Sequence, residues 1–149
     1  MIRNVFLFVL ILMAADVEAA EEKTPTIQTG IWGVVQLNEG DCMPVVGEEA
    51  QRTCLQKNAA REVYILESVK NAQMDVTYLK AEGKIIRQVT SGRDGFYQVA
   101  LPDGVYSVFV DDDGKKYCNY FGGDYDEVCQ VIVRGSPEKF DIAIDRATW

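Results

Sequence analysis

Histidine is absent from this sequence of 149 residues. Its absence excludes Ser-His and Cys-His nucleophile systems and every zinc site that uses an imidazole ligand. Basic residues are also scarce, because 15 Lys and Arg stand against 23 Asp and Glu, for a formal charge of −8. A chain this acidic is a poor partner for nucleic acid or for an anionic membrane. Internal repeats are lacking too, and the length suits one hydrophobic core.

Only the N-terminus has a long apolar run. Arg3 precedes the apolar residues 5–15, and small residues follow, which is the pattern of a secretory signal peptide too short to span a bilayer. Cleavage after Ala19 is favoured, because a cut after Ala20 would put the charge of Glu18 three residues before it. A retained interfacial anchor is the alternative, and no nearby cysteine could carry a lipid.

These features predict a secreted or periplasmic protein that does not insert into a membrane once the signal is cut. The predicted parts are a signal peptide at 1–19, a flexible polar segment at 20–29 and one domain at 30–149.

The four cysteines all lie in the predicted exported region. An even number in an exported chain indicates disulfides. We prefer Cys42–Cys54 with Cys118–Cys129, because each pair closes a short loop, and such a bond contributes about 3 kcal/mol. Pairing of Cys42 with Cys118 or Cys129 remains open. A zinc site made of all four thiolates is the competing interpretation, although the spacing differs from that of zinc ribbons.

The segment from Thr90 to Asp113 has the clearest alternation of apolar residues. One apolar set precedes the turn at Pro102-Asp103-Gly104 and another follows it; the two sets are Tyr97, Val99, Leu101 and Tyr106, Val108, Val110. Asp-Gly turns bound the segment at both ends. The pattern predicts a β-hairpin.

Further strands are expected at 30–37, 61–67, 74–80, 84–89, 115–121, 127–134 and 140–145. We expect Trp32 to pack in the core, Val76 and Tyr78 to point inward, and Cys118 and Cys129 to join two paired strands. Regularly spaced short strands predict an all-β fold, a single antiparallel β-sandwich of seven to eight strands. The composition of the 47–60 region would also allow one short helix there. The loop at 38–60 either contacts a partner or covers a sheet edge.

The pattern Asp94-Gly95-x-Tyr97-x-Val99-x-Leu101-Pro102-x-Gly104-x-Tyr106-Ser107-Val108 resembles the signature of carboxypeptidase regulatory-like domains. The segment from Gly30 to Val35 stands where that family has its first strand. The resemblance covers 30–149 and implies a transthyretin-like (prealbumin-like) β-sandwich that acts as a non-catalytic accessory module, without implying a substrate. Related hydrolases of this fold use histidines and a C-terminal tetrapeptide that this chain lacks, so their activity is not implied.

Four aromatic residues cluster in and beside the predicted Cys118–Cys129 loop: Tyr117, Tyr120, Phe121 and Tyr125. Alternate residues of a strand cannot all face the core, so at least one of these rings should be exposed. The functional interpretation is a rigid platform for a protein, peptide or glycan. The alternative is cross-strand packing that stabilises the ribbon.

The acidic run Asp111-Asp112-Asp113-Gly114 is similar to part of a calcium-binding loop. Phe109 and Tyr120, however, occupy positions at which an EF-hand needs ligands. We therefore predict no metal and no cofactor, with weak calcium binding at Asp111 and Asp113 as an alternative.

Together these features predict a monomeric, exported, non-enzymatic binding module with no catalytic residue. Two alternatives are a secreted hydrolase or lyase that uses a pair of carboxylates and a structural component of an envelope or matrix.

Overall fold

The computed structural model describes residues 22–43, 53–120 and 126–149. Regular structure in these ranges is β-strand, apart from one 3₁₀ turn at Asn71–Gln73. The strands are β1 (Gly30–Glu39), β2 (Leu55–Asn58), β3 (Glu62–Glu67), β4 (Val69–Lys70), β5 (Met74–Asp75), β6 (Tyr78–Leu79), β7 (Ile85–Thr90), β8 (Phe96–Ala100), β9 (Gly104–Asp112), β10 (Lys115–Tyr117), β11 (Glu127–Val128), β12 (Gln130–Val133), β13 (Pro137–Lys139) and β14 (Ile142–Asp145).

The first sheet is built around β1. Strands β8 and β2 pair with β1 in antiparallel fashion along one edge, and β13 and β14 pair with it in parallel along the other. The chain between β13 and β14 brings the carbonyl oxygen of Phe140 against Gly33, where any Cβ would overlap it. Glycine at this position therefore permits the close approach that keeps both parallel segments on one strand.

The second sheet is built around β9. Strand β3 pairs with one edge of β9, and β10 and β12 lie end to end along the other edge. Strand β7 extends the sheet beyond β3, and the β5–β6 hairpin extends it beyond β10. Ser107 of β9 donates to the carbonyl of Val128 (2.7 Å) and accepts from the N–H of Val69 (2.8 Å), which connects the small β4–β11 pair to this sheet.

The two sheets share one hydrophobic core. Ile31 and Val35 of the first sheet and Ile65 and Val108 of the second are completely buried in it. The predicted all-β class is confirmed, the strand pairings are antiparallel except for those of β1 with β13 and β14, and the arrangement is consistent with a β-sandwich. The strand segments outnumber the predicted seven to eight because several contain only two or three residues.

The predicted central hairpin is wrong in its pairing. Strand β8 pairs with β1 and strand β9 with β3, so the two strands belong to different sheets. The turn at Pro102 therefore carries the chain across the core, where the hydroxyl of Tyr106 donates to the carbonyl of Pro102 (2.9 Å). The predicted faces are nevertheless correct for the buried Tyr97 and Leu101, because alternation specifies a face and not a neighbour.

Three further expectations need correction. Trp32 lies half-buried on the outer face of the first sheet instead of in the core, because β1 directs its neighbours Ile31 and Gly33 inward. Val76 is 79% exposed, because residues 76–77 form the turn of the β5–β6 hairpin. The described part of the region allotted to a helix contains β2; residues 47–52 lie outside the described ranges.

Both disulfides join cysteines that are close in the sequence, Cys42 with Cys54 and Cys118 with Cys129, and no cysteine is free. Cys118 follows β10 and Cys129 precedes β12, so this bond spans two strands that lie end to end along β9. The expectation that this disulfide joins two paired strands is therefore wrong. The two disulfides indicate an oxidising, extracellular environment.

Within the described ranges, the structure contains no helix long and apolar enough to cross a membrane.

Candidate binding surface

The structure separates the aromatic residues that the sequence groups together. Tyr117 is only 4% exposed, its hydroxyl accepts from the N–H of Asp145 (3.1 Å), and its ring packs edge-on against Tyr78 at 5.5 Å. Tyr117 therefore belongs to the core and is not available for binding. Tyr120 is 56% exposed. Phe121 and Tyr125 lie outside the described residues.

Tyr120 stands in an open groove beside Phe140. The two rings meet edge-on, with centroids 5.9 Å apart and planes at 85°. The groove has a volume of about 390 Å³, and we call it the Tyr120 groove. Its walls are Tyr120, Gln130, Val131, Ile132, Glu138, Lys139, Phe140 and Asp141.

The backbone holds both rings in place. The carbonyl of Tyr120 accepts from the N–H of Cys129 (2.8 Å), and the N–H of Tyr120 points to the sulfur of Cys118 (3.4 Å). Phe140 donates its N–H to the carbonyl of Trp32 (2.7 Å) and accepts from the hydroxyl of Tyr97. Because the Cys118–Cys129 disulfide and β1 restrain the backbone that carries the two rings, a ligand would meet a surface with little backbone freedom left to lose.

Two strand edges flank the Tyr120 groove. Within the described part of the chain, β12 pairs only with β9 and β13 pairs only with β1. Ile132 of β12 exposes its side chain here, and Gln130 and Glu138 supply an amide and a carboxylate. An exposed ring, an apolar side chain and a few hydrogen-bonding groups are suited to recognition of a ligand.

A second aromatic surface lies on the outer face of the first sheet. Trp32 of β1 and Phe96 of β8 have ring centroids 6.3 Å apart. The ammonium of Lys139 lies 5.2 Å above the Trp32 ring, and that of Lys23 lies 5.5 Å above the Phe96 ring. We call this depression of about 250 Å³ the Trp32 groove; its walls are Glu22, Lys23, Trp32, Val34, Asn58, Asp94 and Phe96.

The alternation of β1 and β8 already contained a signal for the Trp32 groove. Trp32 alternates with the buried Ile31, and Phe96 precedes the buried Tyr97, so both rings had to face away from the core. The expectation that Trp32 packs in the core, as large rings in strands usually do, led away from this interpretation.

The acidic residues at the end of β9 make contacts that hold the fold together. Asp112 is 4% exposed and accepts from the hydroxyl of Tyr78 (2.8 Å) and from the guanidinium of Arg146, which also pairs with Asp113 (2.9 Å). The hydrogen bond with Asp112 raises the pKa of both Tyr78 and Arg146. Two of the three carboxylates of the turn are thus engaged by one guanidinium. The described ranges contain no group of three His, Cys, Asp or Glu side chains that could hold a metal.

No family model, curated protein or solved structure matches this chain. The resemblance to carboxypeptidase regulatory-like domains therefore stays a prediction.

Proposed function

We propose that this protein is an exported, non-enzymatic binding module, of the carboxypeptidase regulatory-like kind, that recognises a protein, peptide or glycan through the Tyr120 groove. The observation that carries the proposal is Tyr120 itself, a ring more than half exposed on a backbone held by a disulfide. The two disulfides and the predicted signal peptide support export.

The groove offers a large contact area at a small cost in entropy. A tyrosine side chain has only two rotatable torsions, and Tyr120 is already restrained by its contact with Phe140. Its exposed ring suits a sugar ring or an apolar side chain, and the edge of β12, with which no described strand pairs, suits the backbone of an extended peptide. These properties support recognition without a chemical step.

The one almost fully buried carboxylate among the described residues gives little support to the hydrolase alternative. Asp112 is the one carboxylate among the described residues that is almost fully buried, and Arg146 and Tyr78 already engage it. A buried carboxylate whose contacts are with other groups of the protein is poorly placed to contact a substrate. The hydrolase or lyase therefore remains the weaker alternative.

Binding screens with matched variants test the proposal. The chain from Ala20 is applied to a glycan array and to a peptide display library, in parallel with Tyr120→Ala and Tyr120→Phe. We expect at least one ligand whose binding weakens about tenfold or more in Tyr120→Ala, because loss of a ring at a contact centre typically costs over 1 kcal/mol. The Tyr120→Phe variant should retain binding to any ligand that uses the ring face.

Trp149→Ala is the control, because Trp149 is an aromatic residue of similar exposure, 59%, that does not line the groove. It should leave binding unchanged. If every ligand binds equally well to Tyr120→Ala, the assignment of the Tyr120 groove is wrong.

A further inference from the structure

A short segment before β1 lies against the outer face of the first sheet. We call residues 22–26 the strap; it contains no helix or strand. Glu22 pairs with Lys139 (2.5 Å), and Lys23 pairs with Asp94. The N–H of Thr26 donates to Oε1 of Gln98 (2.8 Å), whose amide donates back to the Thr26 hydroxyl (2.9 Å). The strap thus contacts β8 and β13, which lie on opposite edges of β1.

The strap forms one side of the Trp32 groove, since Glu22 and Lys23 are among its walls. Lys23 places its ammonium over the Phe96 ring while it pairs with Asp94. Glu22 binds Lys139, which lies over the Trp32 ring. Both rings of the groove are therefore in contact with a cation that belongs to the strap or pairs with it. The hydrogen bond between Glu22 and Lys139 lowers the pKa of the carboxyl and raises the pKa of the ammonium, as expected of a formed pair.

The contacts that hold the strap are individually weak. Both ion pairs join exposed side chains, and such pairs contribute about 0 to 1 kcal/mol each. None of the strap side chains belongs to the buried core. Pro25 has no N–H, so the strap cannot form a continuous ladder with a neighbouring strand. The strap can therefore leave while the two sheets stay folded.

We propose that the Trp32 and Phe96 rings of the Trp32 groove form a peptide-binding site that the strap occupies in cis, and that its ligand is an extended segment of a partner protein. The strap shows the chemistry that the groove accepts. The segment carries a carboxylate for Lys139, followed directly by a lysine for Asp94 and the Phe96 ring, and a hydroxyl residue three positions later for Gln98. This site does not depend on the function proposed for the Tyr120 groove.

Tethering gives the strap an advantage over any free peptide. A short linker holds its ligand at an effective concentration in the millimolar range, so a partner segment must bind more tightly than the strap or be supplied on a multivalent partner. The strap would thereby keep the aromatic rings covered until a partner of sufficient affinity arrives.

A labelled peptide provides the test. The probe is a fluorescent peptide with the sequence of residues 20–29, AEEKTPTIQT, and a scrambled peptide of the same composition is its control. It is titrated into the chain from Ala20 and into a strap-weakened variant with Glu22→Ala, Lys23→Ala and Thr26→Ala. We expect the variant to bind the probe about tenfold or more tightly than the unmodified chain, because its groove is no longer occupied in cis.

Two further changes locate the binding. Trp32→Ala in the strap-weakened variant should reduce probe binding to the level of the scrambled peptide, whereas Tyr120→Ala should leave it unchanged. Asp94→Lys should abolish binding of the probe, and a probe with glutamate in place of its lysine should restore it, because the ion pair is rebuilt with reversed charges. This exchange remains informative if Trp32→Ala unfolds the domain.

Some results would overturn the proposal. Equal binding by the unmodified and strap-weakened chains, or no binding by a strap-weakened chain whose circular dichroism is unchanged, would show that the groove does not accept such a peptide. A dimer of the unmodified chain that the free probe dissociates would identify the occupant as the strap of a second copy and exclude the partner protein.

Discussion

Among individual residues, Asp112 has the least expected environment. A buried carboxylate without a partner is costly, and here Arg146 and the hydroxyl of Tyr78 compensate for the lost water. Arg146 follows β14 in the first sheet, whereas Asp112 ends β9 in the second. The pair therefore joins the two sheets at one end of the core.

We expect Arg146→Met to lower the free energy of unfolding by about 2 to 3 kcal/mol, because Asp112 would remain buried without its cation. Urea unfolding followed by circular dichroism measures the change. Asp113→Asn is the matched control, since it removes only the exposed partner of the same guanidinium and should cost less than about 1 kcal/mol. Equal losses in the two variants would contradict a special role for Asp112.

Among the elements, the β5–β6 hairpin has a turn residue whose backbone conformation is unfavourable for its residue type. Val76 lies in its turn with φ of 53°, a region that a β-branched residue seldom adopts. The pairs Met74 with Leu79 and Asp75 with Tyr78 hold this turn in place, and Tyr78 continues the sheet by pairing with Tyr117. The second sheet therefore imposes a backbone conformation that the residue itself disfavours.

Val76→Gly should raise the free energy of unfolding by about 1 kcal/mol, because glycine adopts a positive φ without strain and Val76 buries little surface. Thermal unfolding would show the gain as a higher midpoint. Val105→Gly serves as the control, because Val105 is an exposed valine within the regular strand β9. That change should lower stability, and a loss in both variants would argue against strain at Val76.

For the whole molecule, the phenols of the tyrosines link stability to alkaline pH. Burial raises the pKa of Tyr97 well above its ordinary value and also raises the pKa of Tyr117. Burial, aided by the hydrogen bond with Glu62, raises the pKa of Tyr64 to about 12. Folding thus favours the neutral phenol at several positions.

This preference predicts the direction of the pH dependence. Above about pH 10 the unfolded chain loses phenolic protons that the folded protein keeps, so the unfolded state binds fewer protons and stability falls as the pH rises. The contribution of the neutral phenols to the free energy of unfolding is complete below about pH 10. It is lost as the pH rises toward 12, which is about the pKa of Tyr64 in the folded protein. Urea unfolding across this range, with tyrosinate absorbance recorded in parallel, measures it. Tyr64→Phe should flatten the decline, and a stability independent of pH above 10 would contradict the account.

The sequence by itself determined the class of fold and, in the segment from Thr90 to Asp113, which side chains share a buried face. Alternation placed Tyr97 and Leu101 on one face, which is buried, and short cysteine spacings favoured the two pairs that the structure contains. These properties follow from neighbouring residues, because a pleated strand turns successive side chains to opposite faces whatever lies beside it.

Only the tertiary structure decided which strands pair and which surface residues meet. Backbone hydrogen bonds are the same for every partner, so nothing in the alternation of β8 specifies β1 instead of β9. The parallel pairing of β1 with β13 places Lys139 over Trp32, more than a hundred residues apart in the chain. The burial of Tyr117 and the exposure of Tyr120 likewise depend on where β10 ends within the second sheet. Such contacts arise from the packing of the whole chain, since each requires segments that do not adjoin in the sequence.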